Sequence, residues 1–224
     1  MEVLSTAELD ALRKWPTPAI ANAIETFDVR PRNAGGMLGI RCMFPEMEPM
    51  VGYACTARMA AREQPAEPTG NVTLAHWDNI SGMSSPRVAV IEDRDDPPAF
   101  GSLWGEVNAN IHRALGCLGV VTSGGVRDLD EVQELGFHFF AADVIPTHAY
   151  VHLVEVGIDA TVGGLQVSNG DLIHADKHGV VTIPHEIARE IPRAAQEVED
   201  KERRIINYCK SPAFKVENLK SGTY

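Results

Sequence analysis

The sequence has no long apolar run. Nowhere in its 224 residues is there the stretch of about 18 to 20 consecutive apolar residues that a membrane span requires. The opening Met1-Glu2-Val3-Leu4-Ser5 also lacks the basic and apolar regions of a secretory signal. A cytoplasmic protein that binds no membrane is expected. Cysteine is scarce: Cys42, Cys55, Cys117 and Cys209 lie far apart without a C-x-x-C pair, which excludes a zinc knuckle or a redox dithiol and leaves buried free thiols as the expectation. Positive charge is in deficit, with 20 Lys and Arg against 31 Asp and Glu, a formal charge of −11 that repels phosphate backbones. The nearest basic stretch, Lys201 to Lys210, is diluted by Glu199, Asp200 and Glu202, so no nucleic-acid partner is expected. No G-x-S-x-G elbow is present, which argues against a serine hydrolase. Nor does a glycine-rich loop follow an early strand with an acidic residue about 20 positions on, which argues against a methyltransferase with a nucleoside cofactor.

What is present is an ordinary globular composition, 44% apolar, on a chain long enough for one substantial core. One domain over 1–224 is expected, with N-terminal helices in 1–30 and a C-terminal helical tail over 185–224 as extensions. Ser5-Thr6-Ala7-Glu8 reads as a capping box opening the first helix, and Thr17-Pro18 opens a second. Residues 35–44 and 51–61 read as strands and 63–71 as a loop. Residues 87–92 form a short buried strand, and 105–115 a helix with Val107, Ile111, Ala114 and Leu115 on one face. Residues 118–122 are the next strand, Ser123-Gly124-Gly125 a tight turn, 128–135 a short helix and 137–142 a strand. Two strand–helix–strand units in series imply parallel pairing through right-handed crossovers. Short strands follow at 158–162, 172–175 and 180–183, then a helical stretch over 185–208 bent or broken at Pro192.

In open sheets of this kind ligands collect at the carboxyl ends of the strands. Two segments fall there. Gly105-Glu106-Val107-Asn108 is the first turn of a helix, whose unpaired N–H groups attract a carboxylate or phosphate, and glycine lets the anion come close. Gly124-Gly125-Val126-Arg127-Asp128 presents a cation and a carboxylate side by side. Arg127 can hold an oxyanion with two donors, and Asp128 is a hard oxygen ligand suited to Mg²⁺ or Mn²⁺. The same pattern also serves a plain helix start, with Asp128 favouring the dipole and Arg127 in a surface ion pair. The histidine pairs His148/His152 and His174/His178 have metal-binding spacing only on a helix, and 172–183 reads as strands.

The run Gly119-Val120-Val121-Thr122-Ser123-Gly124-Gly125-Val126-Arg127-Asp128, with Gly105-Glu106 before it and Gly163-Gly164, Gly170-Asp171-Leu172, Asp176 and Gly179-Val180-Val181 after it, resembles the RraA-like family, which includes the 4-hydroxy-4-methyl-2-oxoglutarate aldolases. The resemblance spans roughly residues 15 to 190. It implies an α/β fold of the swivelling β/β/α, three-layer type with a mainly parallel central sheet, assembled as a homotrimer or homohexamer with sites near subunit boundaries. The acid that follows the Arg-Asp pair in the aldolase members has a counterpart in Glu131, whereas members acting mainly as ribonuclease E regulators tend to lack it.

By position, the resemblance makes the backbone of Gly105, Glu106, Val107 and Asn108 the binder of a pyruvate-type carboxylate, Arg127 the contact to the keto oxygen and Asp128 the ligand of Mg²⁺ or Mn²⁺. Asn108 stands where an apolar residue is usual, and the Asp176-Lys177-His178-Gly179 turn is less acidic than the usual form. The expected activity is that of a metal-dependent carbon–carbon lyase. It cleaves a small 4-hydroxy-2-oxo acid to pyruvate and a second oxo acid and decarboxylates oxaloacetate on the side. Charge developing on the enolate oxygen would be met by the metal as Lewis acid and by Arg127, with Glu106 holding the water that shuttles protons. The alternative is a non-catalytic regulator of ribonuclease E that acts by protein–protein binding through its acidic surface.

Overall fold

The computed structural model describes residues 3–222, and its architecture follows from which strands are apolar on both sides. Strands β2 (Met50–Ala60), β3 (Arg87–Asp93), β5 (Cys117–Val126) and β6 (His138–Val144) lie side by side in parallel, in the order β6-β5-β3-β2. β2, β3 and β5 are buried nearly throughout, as runs rich in Val, Ile and Ala demand of a sheet covered on both faces, while β6 is buried at Phe139 to Ala141 and exposed at its end. Antiparallel strands close the edges. β1 (Arg41–Cys42) borders β6, while β10 (Leu172–Asp176) and β11 (Gly179–Ile183) continue from β2. The short β4 (Ser102–Trp104) pairs with the end of β5, and β7 (His152–Val156) with the end of β2.

One face carries α3 (Gly70–Gly82), α4 (Glu106–Ala114) and α5 (Leu129–Leu135), over a core that includes Trp104, Phe137, Phe139 and Ile91. The opposite face is covered in part by the hairpin β8 (Ala160–Val162) and β9 (Leu165–Val167), whose Val162 and Val167 pack with Val88, Val121 and Phe140. Gly163 and Gly164 both have positive φ, as a two-residue hairpin turn requires. Helices, central sheet and small second sheet are the three layers of the β/β/α arrangement. At the β2–β10–β11 end, α1 (Thr6–Arg13), α2 (Thr17–Glu25) and α6 (Ile191–Lys210) add a further core around Leu12, Ile20, Ile24 and Ile191. Ser5 and Glu8 form the expected capping box at α1. The last described element is α7 (Val216–Ser221).

Four expectations need correction. Ser123-Gly124-Gly125 does not turn: it continues β5, neither glycine has positive φ, and the ladder carries an irregularity between Thr122 and Gly125. Gly125 is needed for approach, because a β-carbon there would stand 2.6 Å from Ile145 Cγ1. Residues 35–44 form only the two-residue β1 and one bridge, Gly36 to Val181, since Gly35 and Gly39 break the extended run with positive φ. Pro192 does not break a helix but starts one: residues 185–187 are a single 3-10 turn, and Pro192 sits in the first turn of α6, where its missing N–H costs nothing. Finally, Cys55 and Cys117 are buried as expected, but Cys42 is half-buried and Cys209 lies exposed on the outer part of α6. Among the described residues, no helix is long and apolar enough to cross a membrane.

Candidate functional site

The carboxyl end of β5 delivers Arg127 and Asp128 to the sheet edge, and β4 brings Gly105 to meet them. Trp104 pairs with Val126 across the β4–β5 ladder, and the Arg127 N–H donates to the Trp104 carbonyl at 2.9 Å. The next residue, Gly105, then begins α4 beside Asp128. The backbone N–H of Glu106 donates to Asp128 Oδ2 at 2.9 Å. That approach depends on glycine: a β-carbon on Gly105 would overlap the same carboxylate oxygen and crowd Arg127.

Asp128 itself lies in the left-handed region, φ 55° and ψ 48°, a conformation unusual outside glycine and tolerated best by Asp and Asn. It precedes α5, and its carbonyl accepts the N–H of Val132. Its side chain is 35% exposed, and Oδ1 makes no hydrogen bond among the described residues. Arg127 Nε is 3.7 Å from Asp128 Oδ2, a half-exposed ion pair worth little to stability. The other arm of the guanidinium points towards the segment after β6: Nη1 is 3.3 Å from His148 Nδ1 and 3.5 Å from the Pro146 carbonyl. Since arginine only donates, His148 Nδ1 is the bare nitrogen in this contact.

The first intrahelical bond of α4 runs from the Ala109 N–H to the Gly105 carbonyl. Three N–H groups therefore precede it. Glu106 spends its own on Asp128, which leaves those of Val107 and Asn108 without an intrahelical partner at the site. Val107 is 74% exposed at the mouth, and the Glu106 side chain is exposed. The Asn108 side chain is not part of this surface: its amide turns back to the Leu103 carbonyl at 2.5 Å. Glu131, in the first turn of α5, is exposed to solvent.

The structure thus brings Gly105, Glu106, Arg127 and Asp128 together and adds His148, which spacing alone had paired with His152. His152 instead contacts the Tyr150 carbonyl. His174 and His178 part company as well. His174 is buried between Thr17 and Leu12, whereas His178 contacts Asp176. Among the described residues, no group of three or more His, Cys, Asp or Glu side chains converges as a metal cage. Asp128 fits the leaner demand of Mg²⁺ or Mn²⁺, ions that keep several waters and take one or two protein carboxylates.

Two features escaped the sequence reading. Asp93, at the end of β3, is a buried carboxylate that accepts the N–H groups of Asp95 and Ala99 and so anchors the loop leading to β4. Burial pushes its carboxyl up, and the two hydrogen bonds offset this only in part. The second is a buried pair, His76 on α3 and His112 on α4, whose Nε2 atoms are 3.2 Å apart. Helix α3 went unread because its inward stripe, Val72, His76 and Ile80, has a histidine at its centre and spoils the apolar period.

A relative from Methanocaldococcus jannaschii, the uncharacterized protein MJ0644, is 33% identical over 105 residues, which cover 46% of this chain and 50% of that protein. The chain thus spans about half the length of that relative. A protein of Halalkalibacterium halodurans, provisionally named a 4-hydroxy-4-methyl-2-oxoglutarate aldolase, is 25% identical over 190 residues, covering 81% of this chain and 80% of the other. Among solved structures, Streptomyces coelicolor RraAS2 is described as an unusual member of the RNase ES inhibitor RraA protein family. It superposes with a TM-score of 0.71 at 20% identity, covering 91% of this chain and 97% of that one, a likeness of fold. The RraA-like family model, described as Aldolase/RraA, matches residues 17–182, a span that contains every site residue discussed above, and this chain belongs to that family, which holds both aldolases and RraA regulators.

Proposed function

We propose that the protein is a divalent-metal-dependent class II pyruvate aldolase. On this reading it cleaves a 4-hydroxy-2-oxo acid, of the 4-hydroxy-4-methyl-2-oxoglutarate type, to pyruvate and a second oxo acid, and decarboxylates oxaloacetate as a side activity. One observation carries the reading: Asp128 is clamped in an uncommon backbone conformation, one carboxylate oxygen held by the Glu106 N–H and the other unspent, beside a guanidinium that is only half engaged. Strain of this kind persists where surrounding contacts impose it, and it clusters at functional sites.

The roles follow from what each group has left to give. Asp128, with its spare oxygen, would hold Mg²⁺ or Mn²⁺, and the ion would supply Lewis acidity towards a 2-oxo acid. The N–H groups of Val107 and Asn108, at the positive end of α4, receive the substrate carboxylate, beside the Asp128 carboxylate that Gly105 makes room for. Arg127, swung off its weak contacts to Pro146 and His148, donates to the keto oxygen as enolate charge develops. Glu106, exposed at the same turn, holds the water that carries protons to C3 and from the C4 hydroxyl.

The proposal extends to a homotrimer or homohexamer. Ile206 on the outer part of α6, Phe214 in the segment after it, and Val216 and Leu219 on α7 are exposed apolar side chains that an assembled form would cover. The decisive assay strips the protein with a chelator, reloads Mg²⁺ or Mn²⁺, and follows pyruvate from 4-hydroxy-4-methyl-2-oxoglutarate and from oxaloacetate. Metal-dependent release above a metal-only blank is expected. Identical behaviour of stripped and reloaded protein towards every 2-oxo acid tried would overturn the proposal and leave the ribonuclease E regulator as the better account, to be tested by pull-down.

A further inference from the structure

Between α3 and α4 lies a cavity of about 190 Å³, closed at one side by Val151 to Leu153. Neither Arg127 nor Asp128 lines it, although it shares Trp104 and Asn108 with the stretch that builds their site. Trp77, Trp104, Leu103 and Leu153 line it together with the polar Thr69, Thr73, Asn108 and His152, and no Lys, Arg, Asp or Glu contributes. Two polar side chains in this lining, each 1% exposed, carry a buried atom with no hydrogen-bond partner in the protein: His76, through Nδ1, and Trp104, through Nε1.

The proton positions in this cluster can be deduced. His112 Nδ1 is 2.7 Å from the Asn108 carbonyl, which only accepts, so Nδ1 carries the hydrogen. Burial holds both imidazoles far below their ordinary range, His112 at about 4 and His76 at about 3, so both are neutral near pH 7. His112 Nε2 is then bare and must accept from His76 Nε2, 3.2 Å away. That leaves His76 Nδ1 as a lone pair. The cavity's unpartnered buried atoms are therefore one acceptor, His76 Nδ1, and one donor, the Trp104 indole N–H, in a lining of aromatic, aliphatic and neutral polar side chains with His152 at one side. A hydroxyl is the simple group that answers both, donating to the first and accepting from the second. A carboxylate could not satisfy His76 and would be stripped of water without a cation to meet it.

We propose that this cavity is a binding site for a small uncharged alcohol, apolar in body, whose hydroxyl donates to His76 Nδ1 and accepts from Trp104 Nε1. The probe series is phenol, benzene and benzoate, one ring with a hydroxyl, no head group or a carboxylate, titrated into the full-length ¹⁵N-labelled protein. Expected are saturable shifts of the Trp104 indole N–H and the His76 Nδ1 resonance with phenol, at concentrations where benzene and benzoate leave both unmoved. His76→Leu should weaken phenol by about three- to tenfold, the scale of one net hydrogen bond, and His76→Gln should restore part of it. Equal binding of benzene or benzoate, or no saturable shift with phenol, would overturn the proposal, and the wild-type titration alone decides the case should a variant fail to fold.

Discussion

Two aspartates of this chain make the same bond and put it to opposite uses. Asp176, at the end of β10, accepts the N–H of Thr17 at the start of α2 at 2.9 Å; Asp128 accepts the N–H of Glu106 at the start of α4, also at 2.9 Å. The difference lies in what remains. Asp176 is 6% exposed, and its second oxygen is taken by the His178 N–H at 2.8 Å, with the His178 ring on both oxygens. Burial alone would raise its carboxyl, but the hydrogen bonds from His178 and Thr17 outweigh that and hold it below the usual range. Asp128 is 35% exposed, keeps an oxygen to spare and sits on a left-handed backbone. A fully satisfied carboxylate fastens helices to a sheet. One held by half of its capacity keeps an oxygen free to coordinate.

The largest effect that tests this contrast is on turnover. Asp128→Asn keeps the side-chain shape and tolerates φ 55°, so the far-ultraviolet dichroism and melting temperature should stay close to wild type. Pyruvate release should fall by about 100-fold or more, because the anionic ligand of the ion is lost and changes one shell further out already cost about 10- to 100-fold. Asp176→Ala should do the reverse. Urea denaturation should report a loss of about 2 to 3 kcal/mol, because the N–H groups of Thr17 and His178 lose their acceptor, while turnover per folded molecule is retained. Exchange of these two outcomes would invert the assignment.

Much of the scaffold was legible from sequence because each feature had a local cause. The capping box at Ser5, a helix near 105–115 and the parallel crossovers around 87–142 all stand, but not the expected face of that helix, which buries Ala109 and His112 and leaves Val107 exposed. The Arg127-Asp128 pair was legible as a pair at a strand's carboxyl end, but not its clamp. That Gly105 is glycine because Asp128 Oδ2 occupies the space is a contact between residues 23 apart, and no periodicity reports it. Likewise Gly124-Gly125 gave a turn signal, although close packing against Ile145, not chain reversal, requires the bare Cα at Gly125. Helix α3 stayed hidden because its buried stripe is polar at His76.

Buried histidines sharpen the same comparison through pH. His174 sits beside Asp176 in the seam, its Nδ1 3.0 Å from the Thr17 hydroxyl and its Nε2 3.3 Å from the Leu12 carbonyl, and burial pushes it down to about 4. His76 and His112 are depressed by burial to about 3 and about 4. In each case the unfolded chain takes up a proton near the ordinary value of about 6.5 while the folded chain does not, so the stability is present above that pH. It drains away as pH falls towards 4. Denaturation midpoints measured between pH 7 and pH 5 should drop, each histidine contributing up to about 1.4 kcal/mol per pH unit. His174→Gln should flatten that slope by one histidine's share, and an unchanged slope would remove His174 from the account.

The smallest effect concerns Asn108, the residue of the candidate turn whose side chain behaves like Asp176 rather than Asp128. A polar side chain in this turn suggests a wall that selects substrate. The structure instead spends its amide on the Leu103 carbonyl, 2.5 Å away, at the strand end that positions Trp104 and Gly105. Asn108→Leu should therefore cost about 1 kcal/mol in urea denaturation, the net value of one neutral hydrogen bond. It should leave the ratio of kcat/KM for the 4-hydroxy-2-oxo acid to that for oxaloacetate within about twofold, since that ratio reads substrate discrimination and the side chain does not face the bound acid. A ratio that moves tenfold while stability holds would put the Asn108 side chain in the substrate wall and make the whole turn, not its backbone alone, the selective element.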